Sequence, residues 1–403
     1  MKKIILCFSQ ISIVFCLGQS LLLQARTWRV DDDRLQKPSA DFTTLADAVA
    51  VARDGDDIVV YPGVYDAAVA VTNSIDILGP KQGKDGRSRS GKETEEAILT
   101  APAGQHLVLS ANGIKLGGFL IRIPTQTFPQ DGRMGVVLDA AFSGFQVSNN
   151  IFDHSGVEAN SSGAERSVVS RNGFVNDGQF NGIFATAAQN VLVEKNSFQD
   201  APVWFSSSSR ITISENRCRG PAGQDETATF HLRHCTNALI AANKFSARAT
   251  LGLTQLVATR ATDNIFSTGF IWITLVNNDL TVDHNRFANC PYGILLSNEG
   301  PGPTGALIRS NEIEDGEVGI LVGGDAYSNM IENNNVADNQ IGIVVGSSEE
   351  SFIAPNIIRN NEVRGNSIID CLDYTVGTYT SGTANIWTNN EGSRCSPHGI
   401  CHD

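Results

Sequence analysis

Positive charge is scarce in this chain. Of 403 residues, 30 are Lys or Arg against 43 Asp or Glu, and charged residues of both signs make up only 18%. A surface with that deficit repels phosphate backbones as a whole, which excludes nucleic acid as a general partner and makes any polyanion site a local exception. Long apolar runs are missing too: after the first 25 residues no stretch is long and apolar enough to span a bilayer, so no integral membrane segment is expected in the mature chain. Helical periodicity is largely absent, which argues against bundles of helices. The 41% of hydrophobic residues is still ample for a core. A length above ~250–300 residues ordinarily means more than one domain, unless the chain is built of repeats.

The N-terminus reads Lys2-Lys3, then a largely apolar run from Ile4 to Leu17, then Gly18-Gln19-Ser20 and a second apolar stretch ending at Ala25. That order describes a secretory signal peptide over 1–25, with an uncleaved anchor as the alternative that Leu21 to Leu23 leaves open. Phe15 precedes Cys16 where a lipoprotein signal needs a small residue. Cleavage would leave 28 basic against 43 acidic residues, a formal charge of −15. A secreted or periplasmic location is therefore expected.

Cleavage also removes Cys7 and Cys16, leaving Cys218, Cys235, Cys290, Cys371, Cys395 and Cys401. An even number in an oxidising compartment favours disulfides of undetermined connectivity, with at least one expected among Cys371, Cys395 and Cys401. The tail over 391–403, with Cys395, His398, Cys401 and His402, can alternatively be read as a metal site. Cys218 stands where other repeats carry Phe, which points to a buried apolar role.

Internal repetition is the strongest signal. An apolar residue, two arbitrary residues, Asn, one arbitrary residue and an apolar residue recur as VSNNIF (147–152), VSRNGF (169–174), VEKNSF (193–198), ISENRC (213–218) and IAANKF (240–245). The frame continues as ATDNIF (261–266), VDHNRF (282–287), IRSNEI (308–313), IENNNV (331–336) and IRNNEV (358–363). With Asn389 there are eleven anchors, at a mean spacing of 23.9 residues. Between them lie short, often glycine-led apolar runs, such as GIFA from 182 and GILV from 319, with strand length and composition. One such unit cannot bury its own apolar face, so coils must stack with parallel pairing at ~4.8 Å per coil. The fold expected is all-β, a right-handed parallel β-helix over 56–390. The recurrent Asn is expected to occupy a sharp bend, where left-handed backbone is tolerated, and to join its amide to those above and below.

The stretch DFTTLADAVAVARDGDDIVVYPGVYDAAVAV (41–71) followed by SIDILGP (74–80), together with the Asn frame, resembles the pectin-lyase-like superfamily of right-handed parallel β-helix repeat proteins. The resemblance implies an N-terminal amphipathic helix near 43–53, with Leu45, Ala48, Val49 and Ala52 on one face, capping the open coil within a segment over 26–55. It is silent on reaction, because lyases, hydrolases, epimerases, tailspikes and non-catalytic surface proteins share the scaffold. No Arg-x-Pro-x-x-Arg, Asp-Pro-His-Asp or paired-aspartate signature is present.

Candidate sites follow from register. With Asn as offset zero, positions −5, −3 and +2 point inward and −2, −1 and +1 outward. Columns on that wall bring together Arg217, Lys244, Asp263, Asp283, His284, Arg286 and Arg309. Uronate chemistry needs a base at the sugar C5 proton and a cation to neutralise the carboxylate. Lys244 or Arg286 is the candidate base, His284 the alternative acid or base, Asp263 and Asp283 the candidate Ca²⁺ ligands, and Arg217 and Arg309 the substrate-binding cations. An ordinary ladder of surface salt bridges is the competing explanation. A second candidate is the strand Phe230-His231-Leu232-Arg233-His234, with His231 and Arg233 outward. It follows a loop from Gly220 to Thr229, with Asp225 and Glu226, that stretches one interval to 27 residues. Asp153-His154 is a weaker third.

The readings that result are a secreted carbohydrate-active protein, foremost a polysaccharide lyase or related uronate-acting enzyme, a non-catalytic glycan-binding or surface solenoid, and an accessory periplasmic protein. A polysaccharide or glycan partner and a monomeric state are expected. Aromatic content of 7% disfavours a long stacking platform, although Trp204, Trp272 and Trp387 can each serve one sugar.

Overall fold

A computed structural model describes residues 24–102, 105–123, 134–176, 181–220, 229–297, 302–323, 325–346 and 355–402. Residues 1–23, which hold most of the expected signal segment, and residues 221–228 of the loop after Gly220 lie outside these residues. Among the described residues there are three parallel sheets, with 15, 13 and 14 strands, called here sheets I, II and III in the order the chain visits them. Every described strand pairing is parallel to the equivalent strand of the next coil, as in Leu192↔Thr212 and Val193↔Ile213 in sheet I. The architecture is the all-β right-handed solenoid that the repeat requires. Sheet I starts earlier than residue 56: Thr27–Val30 already pairs with Asp57–Val60.

A short helix, α1 (Leu45–Val51), begins at Thr44, whose side chain accepts from the Asp47 amide. It buries Leu45, Ala48 and Val49 beside the first strands of sheets I and II.

The Asn column lies inside. Asn150, Asn172, Asn196, Asn216, Asn243, Asn264, Asn285, Asn311, Asn334 and Asn361 are buried. In each, Oδ1 accepts the backbone N–H and the Nδ2 of the Asn one coil earlier where one exists, as from Asn243 to Asn264 at 3.0 Å each. Asn264 Nδ2 in turn donates to the Ile240 carbonyl at 3.0 Å. The expected amide ladder is present, but its backbone geometry differs from expectation. The residue before each Asn carries the left-handed turn: Arg171, Lys195, Asp263 and His284 have φ of 55°, 54°, 56° and 55°. Placing the bend there swings the next Cβ inward, which is how an amide becomes a core group. The last anchor shifts accordingly. Asn389 is the turn residue with φ 54°, and buried Asn390 closes the ladder by accepting from the Asn361 amide at 3.1 Å. Two shorter ladders, Asn329–Asn356–Asn385 and Asn339–Asn366, line other corners.

Position +2 supplies an aromatic stack down the core. Phe152, Phe174 and Phe198 stack with ring centroids 4.6 and 4.8 Å apart, and Phe245, Phe266 and Phe287 continue at 4.5 and 4.7 Å. Cys218 interrupts the column as an apolar buried side chain. The glycine-led strands follow from close coil approach: a Cβ on Gly319 would fall 2.3 Å from Val336 Cγ1 and 2.7 Å from the Gly342 carbonyl oxygen.

Near the C-terminus Cys395 and Cys401 form a disulfide, whereas Cys218, Cys235, Cys290 and Cys371 are buried free thiols.

Candidate functional site

The structure divides the candidate residues among three places. At the corner between sheets I and II, Asp283 is fully buried although its register faces outward. Longer side chains from neighbouring positions fold over it. Arg260 grips both oxygens, Nε to Oδ1 at 2.9 Å and Nη2 to Oδ2 at 2.8 Å, while Arg309 Nη2 and His284 Nδ1 each approach Oδ2 to 3.5 Å. Burial alone would raise this carboxyl, but the Arg260 fork, the Thr262 hydroxyl and the nearby His284 hold it below its ordinary value. Asp263 is one position further round the turn, in register with His284, and accepts from Thr262 Oγ1 at 3.0 Å. These residues do not fit a shared Ca²⁺ site, because both oxygens of Asp283 are committed to Arg260. Arg260 belongs to no column of the Asn frame, being four residues ahead of Asn264, so register offers no reason to single it out.

On the outward face of sheet II, the strands Arg217–Arg219 and Lys244–Ser246 sit on successive coils with Arg217 opposite Lys244. Arg217, Arg219 and Lys244 are exposed and make no ion pair among the described residues. With Ser197, Gln199, Ser246 and Ser267 they line a shallow concavity of about 460 Å³. Arg286 lies in the same column beyond Ile265, but it is engaged by Glu314 at 2.9 Å and Glu312 at 3.6 Å. Those carboxylates push its guanidinium further up, so it remains a cation and is poorly placed to take a proton. Lys244 and Arg217 are thus brought together, while Arg286, His284, Asp263, Asp283 and Arg309 are held apart in other partnerships. Arg219 was missed, although it follows Arg217 at the two-residue spacing of one strand face.

Sheet III carries the second candidate. Phe230 and Leu232 are buried and Arg233 is exposed, as alternation requires. His231 packs edge-on against Trp204, centroids 4.3 Å apart, and its Nε2 lies 3.0 Å from Thr254 Oγ1. Burial, with the Arg233 charge second, depresses its pKa to about 4, so the ring is neutral near pH 7. The outward column runs Phe184, Trp204, His231, Gly252 and Trp272, one residue per coil. Trp387 is not a third platform: it is buried and donates to Asp373 Oδ2 at 2.7 Å. The Asp153-His154 pair is consumed by a 2.7 Å contact between its own members and by Arg122.

Comparisons with known proteins agree with this architecture. Residues 134–304 match the model of the right handed beta helix region, and residues 254–393 match the family described as periplasmic copper-binding protein (NosD). The chain is a right-handed parallel β-helix repeat protein. Similar solved structures include an exopolygalacturonase from Thermotoga maritima, at 8% identity and TM-score 0.44 over 76% of this chain and 84% of that one. Endopolygalacturonase I from Stereum purpureum gives 12% and 0.44 over 87% and 98%, and the mannuronan C-5 epimerase A-module from Azotobacter vinelandii gives 14% and 0.43 over 89% and 93%. No curated protein matches. No helix among the described residues is long and apolar enough to cross a membrane.

Proposed function

We propose that this chain is an exported, secreted or periplasmic, carbohydrate-acting β-helix protein that holds an acidic polysaccharide on the outer face of sheet II. The observation that carries this reading is the concavity around Arg217, Arg219 and Lys244. Three cations with no carboxylate partner among the described residues, flanked by hydroxyl and amide side chains, make a locally positive strip on a chain of 30 basic and 43 acidic residues. Guanidinium forks suit the carboxylate of a uronic acid, and Ser and Gln suit the ring hydroxyls. Successive coils stand ~4.8 Å apart, a spacing that lets neighbouring acidic sugars meet Arg217 and Lys244 in turn.

Binding is the part of the reading the geometry supports best. The described lining residues include no carboxylate and no imidazole, so a lyase reaction on them would rest on Lys244 as base with Arg217 and Arg219 neutralising the sugar carboxylate. The match to the NosD family favours a non-catalytic, accessory role as the second reading.

The test is titration of polyuronates and matched neutral glycans into the wild-type protein and Arg217→Ala, Arg219→Ala and Lys244→Ala variants, with unsaturated-uronate absorbance followed in parallel. Polyuronate binding that weakens in all three variants and with salt supports the site. Equal binding of neutral glycans, or polyuronate binding unchanged in the variants, overturns it.

A further inference from the structure

We infer that the exported chain is cut between Ala25 and Arg26, and that Asp56 holds the α-ammonium created there as an ion pair at the start of the solenoid. The backbone N–H of Arg26 already donates to Asp56 Oδ1 at 2.8 Å. The other oxygen, Oδ2, accepts from the Trp28 indole and the Arg53 amide at 3.0 Å each. Asp56 is only 7% exposed, and no Lys or Arg side chain pairs with it among the described residues. Burial alone would raise its carboxyl, but the Arg53 and Arg26 amides and the Trp28 indole hold it below its ordinary value, so it is ionised near neutrality. A buried carboxylate is ordinarily matched by a cation. Of its three donors only the Arg26 nitrogen can become one, and only if the chain is broken immediately before it.

The flanking residues suit that break. Ala25 is the small residue expected before a leader cleavage point. Gln24, Ala25 and Arg26 are exposed and precede the first strand, Thr27–Val30. From Arg26 onward the chain is held: its carbonyl accepts from the Asp57 amide at 2.8 Å, and its guanidinium lies 3.5 Å from the centroid of the Trp28 ring. A cut after Ser20 would leave Asp56 with a neutral amide and its charge unmatched.

The step is a hydrolysis, with a leader-removing endopeptidase as catalyst. Water adds across the Ala25–Arg26 peptide bond. Its oxygen completes a carboxylate on Ala25, which leaves with the leader, and its two hydrogens convert the Arg26 N–H to an ammonium. Around that ammonium stand the carboxylates of Asp54, Asp56 and Asp57 and the guanidinium groups of Arg26 and Arg53. Direct contact with Asp56 raises the pKa of the ammonium above the ordinary ~7.7–8.0.

The experiment begins with the N-terminal sequence of the exported protein, expected to read Arg26-Thr27-Trp28-Arg29. Thermal unfolding of that chain is then compared with that of a chain retaining Gln24-Ala25, which moves the ammonium two residues away. The mature chain should melt higher at pH 7. A group whose folded pKa is raised stabilises fully below its unfolded value and loses that contribution as pH passes the folded one, so the gap should close in alkali. At pH 7 an amine-selective reagent should label the α-amine of the mature chain at least about tenfold more slowly than that of the extended chain, the factor for one pKa unit. Asp56→Asn should remove both differences; if that variant does not fold, the comparison of the two chains decides alone. A mature chain that starts at another residue, equal melting and labelling of the two chains, or differences that survive Asp56→Asn would each overturn the inference.

Discussion

Phe230 occupies the gap that Cys218 leaves in the aromatic stack. The Phe230 ring comes in from sheet III, edge-on to Phe198 at 5.3 Å and to Phe245 at 5.2 Å, so the column runs on past a residue too small to fill it. The two positions therefore form one packing unit. Phe230→Ala should destabilise by about 3–5 kcal/mol and Cys218→Phe by about 1–3 kcal/mol through overpacking. The double variant should be less destabilised than the sum of the two, as read from denaturant midpoints. Strict additivity would show that the residues do not share the space.

The one-residue distinction at the end of the Asn ladder gives a second comparison. Asn390 is buried, accepts from Asn361 and donates to the Ile358 carbonyl at 2.9 Å, whereas Asn389 only turns the backbone. Asn390→Ala should cost about 1–3 kcal/mol for the amide partners it orphans, and Asn389→Gly should be close to neutral because glycine accepts φ 54° freely. Thermal unfolding of the two variants decides between them, and the reverse order would contradict the ladder as described.

His231 should make the molecule weaker in acid. Its folded pKa of about 4 lies below the ordinary value of 6.5, so the unfolded chain binds its proton first. The contribution is fully present above pH ~6.5 and is lost progressively as pH falls toward 4. His231→Gln should flatten the stability profile across that window and leave it unchanged above pH 7. An identical slope in the variant would place the acid sensitivity elsewhere.

Asp283 acts in the same sense but at lower pH. Its folded carboxyl is held below 3.8, so its contribution is present above that value and fades as pH drops below it. Arg260→Met removes the fork and leaves a buried carboxylate with only the longer contacts to Arg309 and His284. Because Arg260 is half exposed, the loss at pH 7 should be about 1–3 kcal/mol rather than the larger cost of a fully buried pair. Arg260→Met with Asp283→Asn should recover part of it in a double-mutant cycle. No coupling between the two would show that the pair is only a surface contact.

Much of the fold was legible because its cause is periodic. Positions −3 and +2 around the Asn residues from Asn150 to Asn361 are apolar throughout, and in the structure Val169, Phe174, Ala261 and Phe266 are all buried. The backbone bend was assigned one residue late because Asn is itself a good left-handed residue. Only the requirement that the amide reach the core moves the turn to its neighbour, which can be Arg, Lys, Asp or His. The candidate wall was less legible for a related reason. Register gives the side of the sheet but not the partner. It placed Asp283 and Arg286 outward without revealing that Arg260 covers the first and Glu314 engages the second. Lys244 and Arg217 survived as a pair because strands of a single sheet face keep their neighbours.

Consecutive rungs of the Asn ladder are separated by as few as 20 residues, between Asn196 and Asn216, and by as many as 29, between Asn361 and Asn390, yet the bonds joining them measure 2.9 and 3.1 Å. The chain thus keeps its pitch by amide contact and not by counting residues. A coil can lengthen where it leaves a sheet without disturbing those above and below. The corridor from sheet II to sheet III, where 27 residues separate Asn216 from Asn243, is one place where this tolerance has been used, and the basic strip and the Trp204–His231 column lie on either side of it. Such a scaffold lets the chemistry of its flanks be rewritten loop by loop while the core records none of the change.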